Sequence, residues 1–277
     1  MEFLQLDVFA DRAYSGNPLA VFPDGADLSS EQMQAIAREM NLSETTFVTS
    51  VEGDTYSVRI FTPAEELPFA GHPTLGTTWV LRHLGRVMGD DVIQRSAAGE
   101  TPVSIRGDEV RLRRTGVVTD RQPDLDVIAE MLDLEASALS CTFLGKELTP
   151  GKTDAGIEML MVPVSSLDVL GSIFPVTSKV KASGYMGAYC FTPTSETTIR
   201  ARGFWPMVGV DEDPATGVAC ACLGLYLADR VGGFKGEVMQ GVEMGRPSRL
   251  LLSCDADGVE IGGECRLVLK GTLEALP

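Results

Sequence analysis

Apolar and polar residues alternate in short stretches along much of the chain, which predicts many short strands separated by turns. Residues 3–9 and 18–22 follow this pattern and predict two strands joined by a turn-rich loop. The spacing then changes to i, i+3, i+4 and i+7 from Met33 onward, which predicts an amphipathic helix resting on a sheet. Ser29 and Gln32 have the spacing of a capping box, so this helix is expected to begin at Ser29.

Two later helical segments have a different pattern, because they are apolar on nearly every face. They are residues 75–81 and residues 215–227. A helix that is apolar all round is buried on every side. Strand patterns come before and after each segment. The sequence therefore predicts an α+β fold with two pseudo-symmetric lobes, each a barrel-like, mostly antiparallel sheet around a buried central helix.

The starts of these two helices resemble each other. His72 and Asp213 each precede a proline, with a glycine three residues after that proline, and their offset is 213 − 72 = 141. The preceding strands also match, with Phe61 and Phe204 separated by 204 − 61 = 143. Such a repeat predicts two related lobes that face one cleft.

The chain has 277 residues, of which 44% are hydrophobic, enough for one large domain or two lobes of similar size. No low-complexity linker divides it. We expect an N-terminal lobe over residues 1–118 and a C-terminal lobe over residues 119–277, with the last strand free to return to the first lobe.

The net charge of −16 argues against nucleic acid or an anionic membrane surface as partners, since both require a positive surface. It does not exclude a small anionic metabolite, because a local pocket can oppose the global field. The longest apolar run, residues 218–228, is too short to span a bilayer. The six cysteines form no C-x-x-C pair, and the first residues lack the features of a signal peptide. The reduced cytoplasm is the expected compartment.

The starts of the two apolar helices are candidate anion-binding sites, because helix N-termini carry free N–H donors and partial positive charge. Small residues there let a ligand approach the backbone: Gly71 and Thr74 in one half, Thr216 and Gly217 in the other. His72 and Asp213 are alternatively plain N-caps, although histidine is not a favoured cap. No residues have the spacing of a metal site, a nucleotide-binding glycine loop or a serine nucleophile elbow.

An ordered set of motifs across nearly the whole chain resembles the phenazine-biosynthesis PhzF-like family. The segments are residues 7–9, 15–21, 41–45 (Asn-Leu-Ser-Glu-Thr), 61–63, 71–74 (Gly-His-Pro-Thr), 211–217 (Asp-Glu-Asp-Pro-Ala-Thr-Gly) and 240–248. The resemblance implies a diaminopimelate-epimerase-like fold and a cofactor-independent isomerase similar to trans-2,3-dihydro-3-hydroxyanthranilate isomerase. It also implies a homodimer.

The resemblance assigns the proton-transferring role to Glu44, and it places His72 and Asp213 opposite Glu44 in the site. A carboxylate suits reversible proton transfer when burial brings its pKa toward the working pH. The expected substrate-binding residues are Asn17, Gly71, Pro73, Thr74, Thr216, Gly217 and Val218.

Two departures from the family bear on the reaction. Val218 stands where serine often follows the Asp-Pro-Ala-Thr-Gly motif, which bears on the identity of the substrate. Racemases of this fold use two opposed cysteines at the helix starts, where this chain has Ala70 and Asp213, so two-thiol chemistry is disfavoured. The alternatives are an epimerase or racemase of an amino or hydroxy acid, and a non-catalytic anion-binding protein of the same fold.

Overall fold

The computed structural model describes all residues from Met1 to Pro277, and they form two compact units. The first unit comprises Met1–Arg113 and Gly262–Pro277, and the second comprises Arg114–Ile261. None of the helices combines the length and the apolar character that a membrane crossing requires.

The first unit contains two helices and the strands that surround one of them. The helices are α1 (Ser30–Met40) and α2 (Gly71–His83). The strands are β1 (Glu2–Val8), β2 (Asn17–Phe22), β3 (Glu44–Glu52), β4 (Thr55–Phe61), β5 (Glu66–Leu67), β6 (Asp91–Ser96), β7 (Gly99–Arg106), β8 (Glu109–Arg114) and the greater part of β19 (Gly258–Thr272).

Eight of these strands close into a barrel around α2. β2 pairs with β3 and β4 pairs with β6 in parallel, while β1–β2, β3–β4, β6–β7, β7–β8 and β1–β19 are antiparallel. A β8–β19 pairing completes the ring. α2 packs against β1, β2, β3 and β6, and ten of its thirteen residues are buried. This explains the all-round apolar pattern of its sequence.

Helix α1 covers the outer side of the same sheet. Its N-cap is Ser29, whose hydroxyl accepts from the Gln32 N–H while the Gln32 side chain accepts from the Ser29 N–H, so the predicted capping box is confirmed. Met33 and Ile36 face the sheet and pack with a cluster that includes Phe47. The amphipathic pattern of α1 therefore reflects a helix with one buried face.

The second unit contains four α-helices and ten complete strands. The helices are α3 (Leu125–Leu132), α4 (Leu167–Ser172), α5 (Thr177–Ser183) and α6 (Gly217–Val231). The strands are β9 (Val117–Asp120), β10 (Cys141–Phe143), β11 (Lys146–Leu148), β12 (Gly151–Asp154), β13 (Glu158–Pro163), β14 (Ala188–Ser195), β15 (Thr198–Trp205), β16 (Val210–Asp213), β17 (Phe234–Gln240) and β18 (Ser248–Asp255).

Strand pairing in the second unit follows the order seen in the first. β12–β13 is antiparallel, β13–β14 parallel, β14–β15 antiparallel, β15–β17 parallel and β17–β18 antiparallel. The pairs β1–β2, β2–β3, β3–β4, β4–β6 and β6–β7 have the same directions. α6 packs against β12, β13, β17 and β18, with nine of its fifteen residues buried. The predicted α+β fold, with a buried central helix in each half, is confirmed.

The predicted starts of the central helices are corrected. Helix α6 begins at Gly217, four residues after Asp213, and Asp213 is the last residue of β16, paired with Gly203 of β15. The N-cap of α6 is Thr216, three residues further along, so Asp213 is not the helix cap. Helix α2 begins at Gly71, so His72 lies inside the helix as its second residue. The two helix starts therefore differ by 217 − 71 = 146 residues, not 141.

A test of the central packing uses Gly76 in α2. A Cβ at this position would lie 2.5 Å from Leu19 Cδ2 and 2.8 Å from Val8 Cγ2. We expect Gly76→Ala to lower the free energy of unfolding by about 1–3 kcal/mol, because overpacking outweighs the higher helix propensity of alanine. The matched control is Gly171→Ala in α4, where nothing lies within 4 Å of the added Cβ. Urea denaturation should show no loss of stability in the control. Equal stability of Gly76→Ala and wild type would contradict the tight packing of α2.

Candidate active site

Glu44 and His72 are brought together in the first unit. Glu44 is the first residue of β3, directly after the loop that follows α1, and His72 is the second residue of α2. Glu44 Oε2 lies 3.4 Å from His72 Nε2, and the two side chains are 16% and 7% exposed. The first strand residue after α1 and the first turn of the central helix thus place a carboxyl group against an imidazole in a nearly dry environment.

The imidazole of His72 is held in one orientation. Burial lowers its pKa to about 3, and a hydrogen bond to the backbone of Pro18 opposes this shift. Proline has no N–H, so its carbonyl accepts this bond. Since Nε2 faces Glu44, the donor is Nδ1–H. A neutral imidazole that donates from Nδ1 presents a lone pair at Nε2. Glu44 Oε2 and His72 Nε2 are therefore placed to share one proton between them.

Asn17 and Pro18 reach this site through β2. Asn17 is buried and is the first residue of the strand, opposite Val8 of β1. β2 runs parallel to β3, with Leu19 opposite Glu44. The predicted binding residue Asn17 therefore lies on the strand next to the one that carries Glu44.

The first turn of α2 is held by a buried polar network. Thr74 Oγ1 donates to the Ala70 carbonyl at 2.8 Å and accepts from Gln94 Nε2 at 2.9 Å. Tyr56 Oη donates to Gln94 Oε1 at 2.8 Å. Gly71, Pro73 and Thr74 are all buried. The hydroxyl of Thr74 is thus engaged within the protein, where it fixes the start of the helix.

A corresponding network holds the start of α6 in the second unit. Thr216 Oγ1 donates to Asp213 Oδ2 at 2.5 Å and accepts from Gln240 Nε2 at 3.1 Å. Gln240 Nε2 also donates to the Asp213 carbonyl at 2.8 Å, and Gln240 Oε1 accepts from the Thr216 N–H and from Tyr189 Oη. Trp205 Nε1 donates to Thr216 Oγ1 at 3.4 Å. Asp213 and Thr216 are therefore parts of one connected cluster.

No side chain caps either central helix. The N-cap residues are Ala70 for α2 and Thr216 for α6, and neither makes a side-chain capping hydrogen bond. Gly217 is buried and Val218 is partly exposed. Uncapped first turns retain N–H donors that suit an anion.

Aligned by helix start, His72 corresponds to Val218 and not to Asp213. The two helix starts share a geometry but differ in their chemistry.

The two glutamines that hold the helix starts were not predicted from the sequence as site residues. Gln94 and Gln240 are fully buried, and they too are separated by 240 − 94 = 146 residues. Each follows a buried valine by two positions, Val92 in β6 and Val238 in β17, so each occupies an inward-facing strand position. A glutamine that interrupts an apolar alternation at the same offset in both halves is the signal that could have revealed them.

Protonation of His72 leads to a test of its environment. The folded-state pKa of about 3 lies below the ordinary value of 6.5. Between these two values the imidazole is protonated in the unfolded chain and neutral in the folded chain. Stability is unaffected by this group above pH 6.5 and falls by about 1.4 kcal/mol per pH unit below it, down to about pH 3. We expect His72→Gln to gain about 2 kcal/mol relative to wild type between pH 7 and pH 5, as measured by urea denaturation.

The control for this measurement is His83→Gln, which removes an exposed histidine from the other end of α2. This variant should follow the wild-type pH dependence. A stability difference between His72→Gln and wild type that stays constant from pH 7 to pH 5 would show that His72 takes up its proton normally in the folded chain.

The chain is similar to known proteins along almost its entire length. The sequence profile of the family described as phenazine biosynthesis-like protein matches residues 6–271. The chain is 33% identical over 276 residues to an uncharacterized isomerase of Pseudomonas aeruginosa, covering 99% of this chain and 98% of that protein. It is 34% identical over 284 residues to the trans-2,3-dihydro-3-hydroxyanthranilate isomerase of Pseudomonas fluorescens, covering 98% of each.

A solved structure shows the same fold. The PhzF family phenazine biosynthesis protein of Enterococcus faecalis is 26% identical, with a TM-score of 0.82 and 99% of each chain covered. Both sequence relatives carry the name isomerase, which confirms the prediction that this chain is an enzyme of that class. With a family match along almost its entire length, the chain belongs to the phenazine biosynthesis-like protein family.

Proposed function

We propose that the chain moves a proton between two carbons of a small carboxylated, cyclic metabolite, with Glu44 as the general acid and base and without a cofactor. The observation that carries this proposal is the contact between Glu44 and the neutral, oriented imidazole of His72. The name of the Pseudomonas fluorescens relative supports a substrate of the dihydro-hydroxyanthranilate type.

The proposed reaction balances without an external donor. Glu44 takes a proton from one carbon, so that a C–H bond breaks and an O–H bond forms. The electron pair is delocalised over the conjugated ring and its carboxylate. The Nε2 lone pair of His72 is then placed to accept a hydrogen bond from the protonated Glu44, which holds the proton near the substrate. Return of the proton to a different carbon completes the isomerisation and restores the carboxylate.

The first turns of α2 and α6 are proposed to bind the anionic part of the substrate. Neither first turn is capped by a side chain, and the partial positive charge of a helix start favours a carboxylate. Asp213 and Thr216 are proposed to line the same substrate site, with Gly71, Pro73, Gly217 and Val218 next to the ligand. That both helix starts bind one substrate molecule stays a prediction from the sequence.

The cysteines are poorly suited to replace Glu44. Burial raises the pKa of Cys222 and Cys254 to about 11 and that of Cys141 and Cys190 to about 12, and it also raises the pKa of Cys220 and Cys265. A thiol that stays protonated is a weak base. This supports the carboxylate as the proton-transferring group and argues against two-thiol racemisation. Action in the cytoplasm and assembly into a homodimer stay predictions.

The test of this proposal is Glu44→Gln, which keeps the shape of the side chain and removes its basicity. With trans-2,3-dihydro-3-hydroxyanthranilate as the substrate, we expect kcat to fall roughly a hundred- to ten-thousandfold, the usual contribution of a positioned acid–base group. The control is Glu52→Gln at the exposed end of the same strand, which should keep wild-type turnover. Turnover by Glu44→Gln within a few-fold of wild type would rule out Glu44 as the base.

A further inference from the structure

Each unit contains a hairpin that leads into its central helix, and an arginine–glutamate pair crosses each hairpin. In the first unit, Arg59 on β4 binds Glu66 on β5 through two parallel hydrogen bonds of 2.7 and 2.6 Å. The guanidinium lies 5.1 Å from the ring centre of Phe61, two residues further along the strand. Both charged side chains are about one-third exposed.

In the second unit, Arg202 on β15 binds Glu212 on β16 through two hydrogen bonds of 2.8 Å. Its guanidinium lies 4.7 Å from the ring centre of Phe204, again two residues further along. The arginines are separated by 202 − 59 = 143 residues, which is the offset of the two strands. The same arrangement, an arginine–glutamate pair beside a phenylalanine ring, therefore recurs in both halves of the chain.

The two pairs differ in burial and in what they anchor. The Arg202 side chain is 2% exposed and that of Glu212 is 16% exposed. Arg202 Nη1 donates to the carbonyls of Leu170 and Ile173 at 2.9 Å each, at the end of α4. A buried guanidinium is stable only when its N–H donors make hydrogen bonds. Here these hydrogen bonds connect the β15–β16 hairpin to the end of α4. Arg59, which is less buried, donates one hydrogen bond besides those to Glu66, and its acceptor is Ser30 Oγ.

The glutamate of the buried pair lies next to the cluster that holds the start of α6. Glu212 directly precedes Asp213, whose carboxylate accepts the Thr216 hydroxyl at 2.5 Å. Thr216 is the N-cap of α6. We propose that Arg202 and Glu212 are positioning residues, which fix Asp213 and Thr216 relative to the first turn of α6. The kinetic test of this proposal rests on the proposed function, because turnover is measured with the proposed substrate.

A spectroscopic reporter of this position is present in the chain. The indole N–H of Trp205 donates to Thr216 Oγ1, so its resonance depends on where Thr216 lies. The chain has two tryptophans, and the other, Trp79, stacks on His83 in the first unit. Trp79 therefore serves as an internal reference in the same spectrum.

The experiment compares Glu212→Gln with Asp229→Asn in the full-length chain. Asp229 also receives two hydrogen bonds from an arginine, Arg121, but it lies near the far end of α6. We expect Glu212→Gln to shift the Trp205 indole resonance, leave that of Trp79 in place, and lower kcat/KM roughly 10- to 100-fold, as a misplaced binding group does. The pH profile of kcat should keep its shape, because Glu44 and His72 are untouched. Asp229→Asn should match wild type in every readout.

Arg202→Lys is the second variant, since it keeps the charge but loses the paired hydrogen bonds, and it should shift the Trp205 resonance in the same way. A folded Glu212→Gln or Arg202→Lys protein with an unchanged Trp205 resonance would overturn the proposal, even if its melting temperature fell. If the wild type does not turn over the chosen substrate, the proposed function fails, but the Trp205 resonance still decides whether the pair positions Thr216.

Discussion

Burial of a helix against the inner face of a sheet is the constraint on which the rest of this structure depends. A helix enclosed in this way has no water to satisfy the N–H groups of its first turn. In α2 and α6 no side chain caps these groups, and buried glutamines on neighbouring strands hold the first turns in place. The result in each unit is a rigid helix start with donors available to an anion. Under the proposed function, such donors bind the carboxylate of the substrate without a lysine or an arginine.

The two halves share this scaffold but carry different chemistry. Aligned by strand register, Thr45 of β3 and Ala188 of β14 correspond, because they lie opposite Phe61 and Phe204, so Glu44 corresponds to Gly187. The second residues of α2 and α6 correspond, and they are His72 and Val218. The first unit thus holds the groups that can carry a proton. At the same positions the second unit holds none, and its polar residues form a network that orients Thr216. Under the proposed function, the first half of the repeat transfers the proton and the second half contributes to substrate binding.

Much of this could be predicted from the sequence, because local pattern governs it. The capping box of α1, the apolar central helices and the repeat depend on residues close together in the chain. The start of α6 was predicted wrongly because Asp213-Pro214 has the composition of a helix start, whereas pairing of β16 with β15 keeps it extended. The buried hydrogen-bonding roles of three strand residues were not predicted, for a related reason. These residues are Gln94, Gln240 and Arg202. Whether a polar side chain in a strand is buried and bonded depends on partners distant in sequence, such as Thr74 for Gln94.

A neutron structure of the chain with a bound aromatic analogue of the proposed substrate is the most direct test of Glu44 and His72 as one proton-transferring pair. Such an analogue occupies the site but has no proton to lose, and neutron diffraction locates the exchangeable hydrogens. We expect the Glu44 carboxyl group to lie next to the ring carbon that would react. We expect His72 to carry its hydrogen on Nδ1, directed toward Pro18, and none bonded to Nε2. A charged imidazole with hydrogen on both nitrogens, or Glu44 turned away from the ligand, would contradict it.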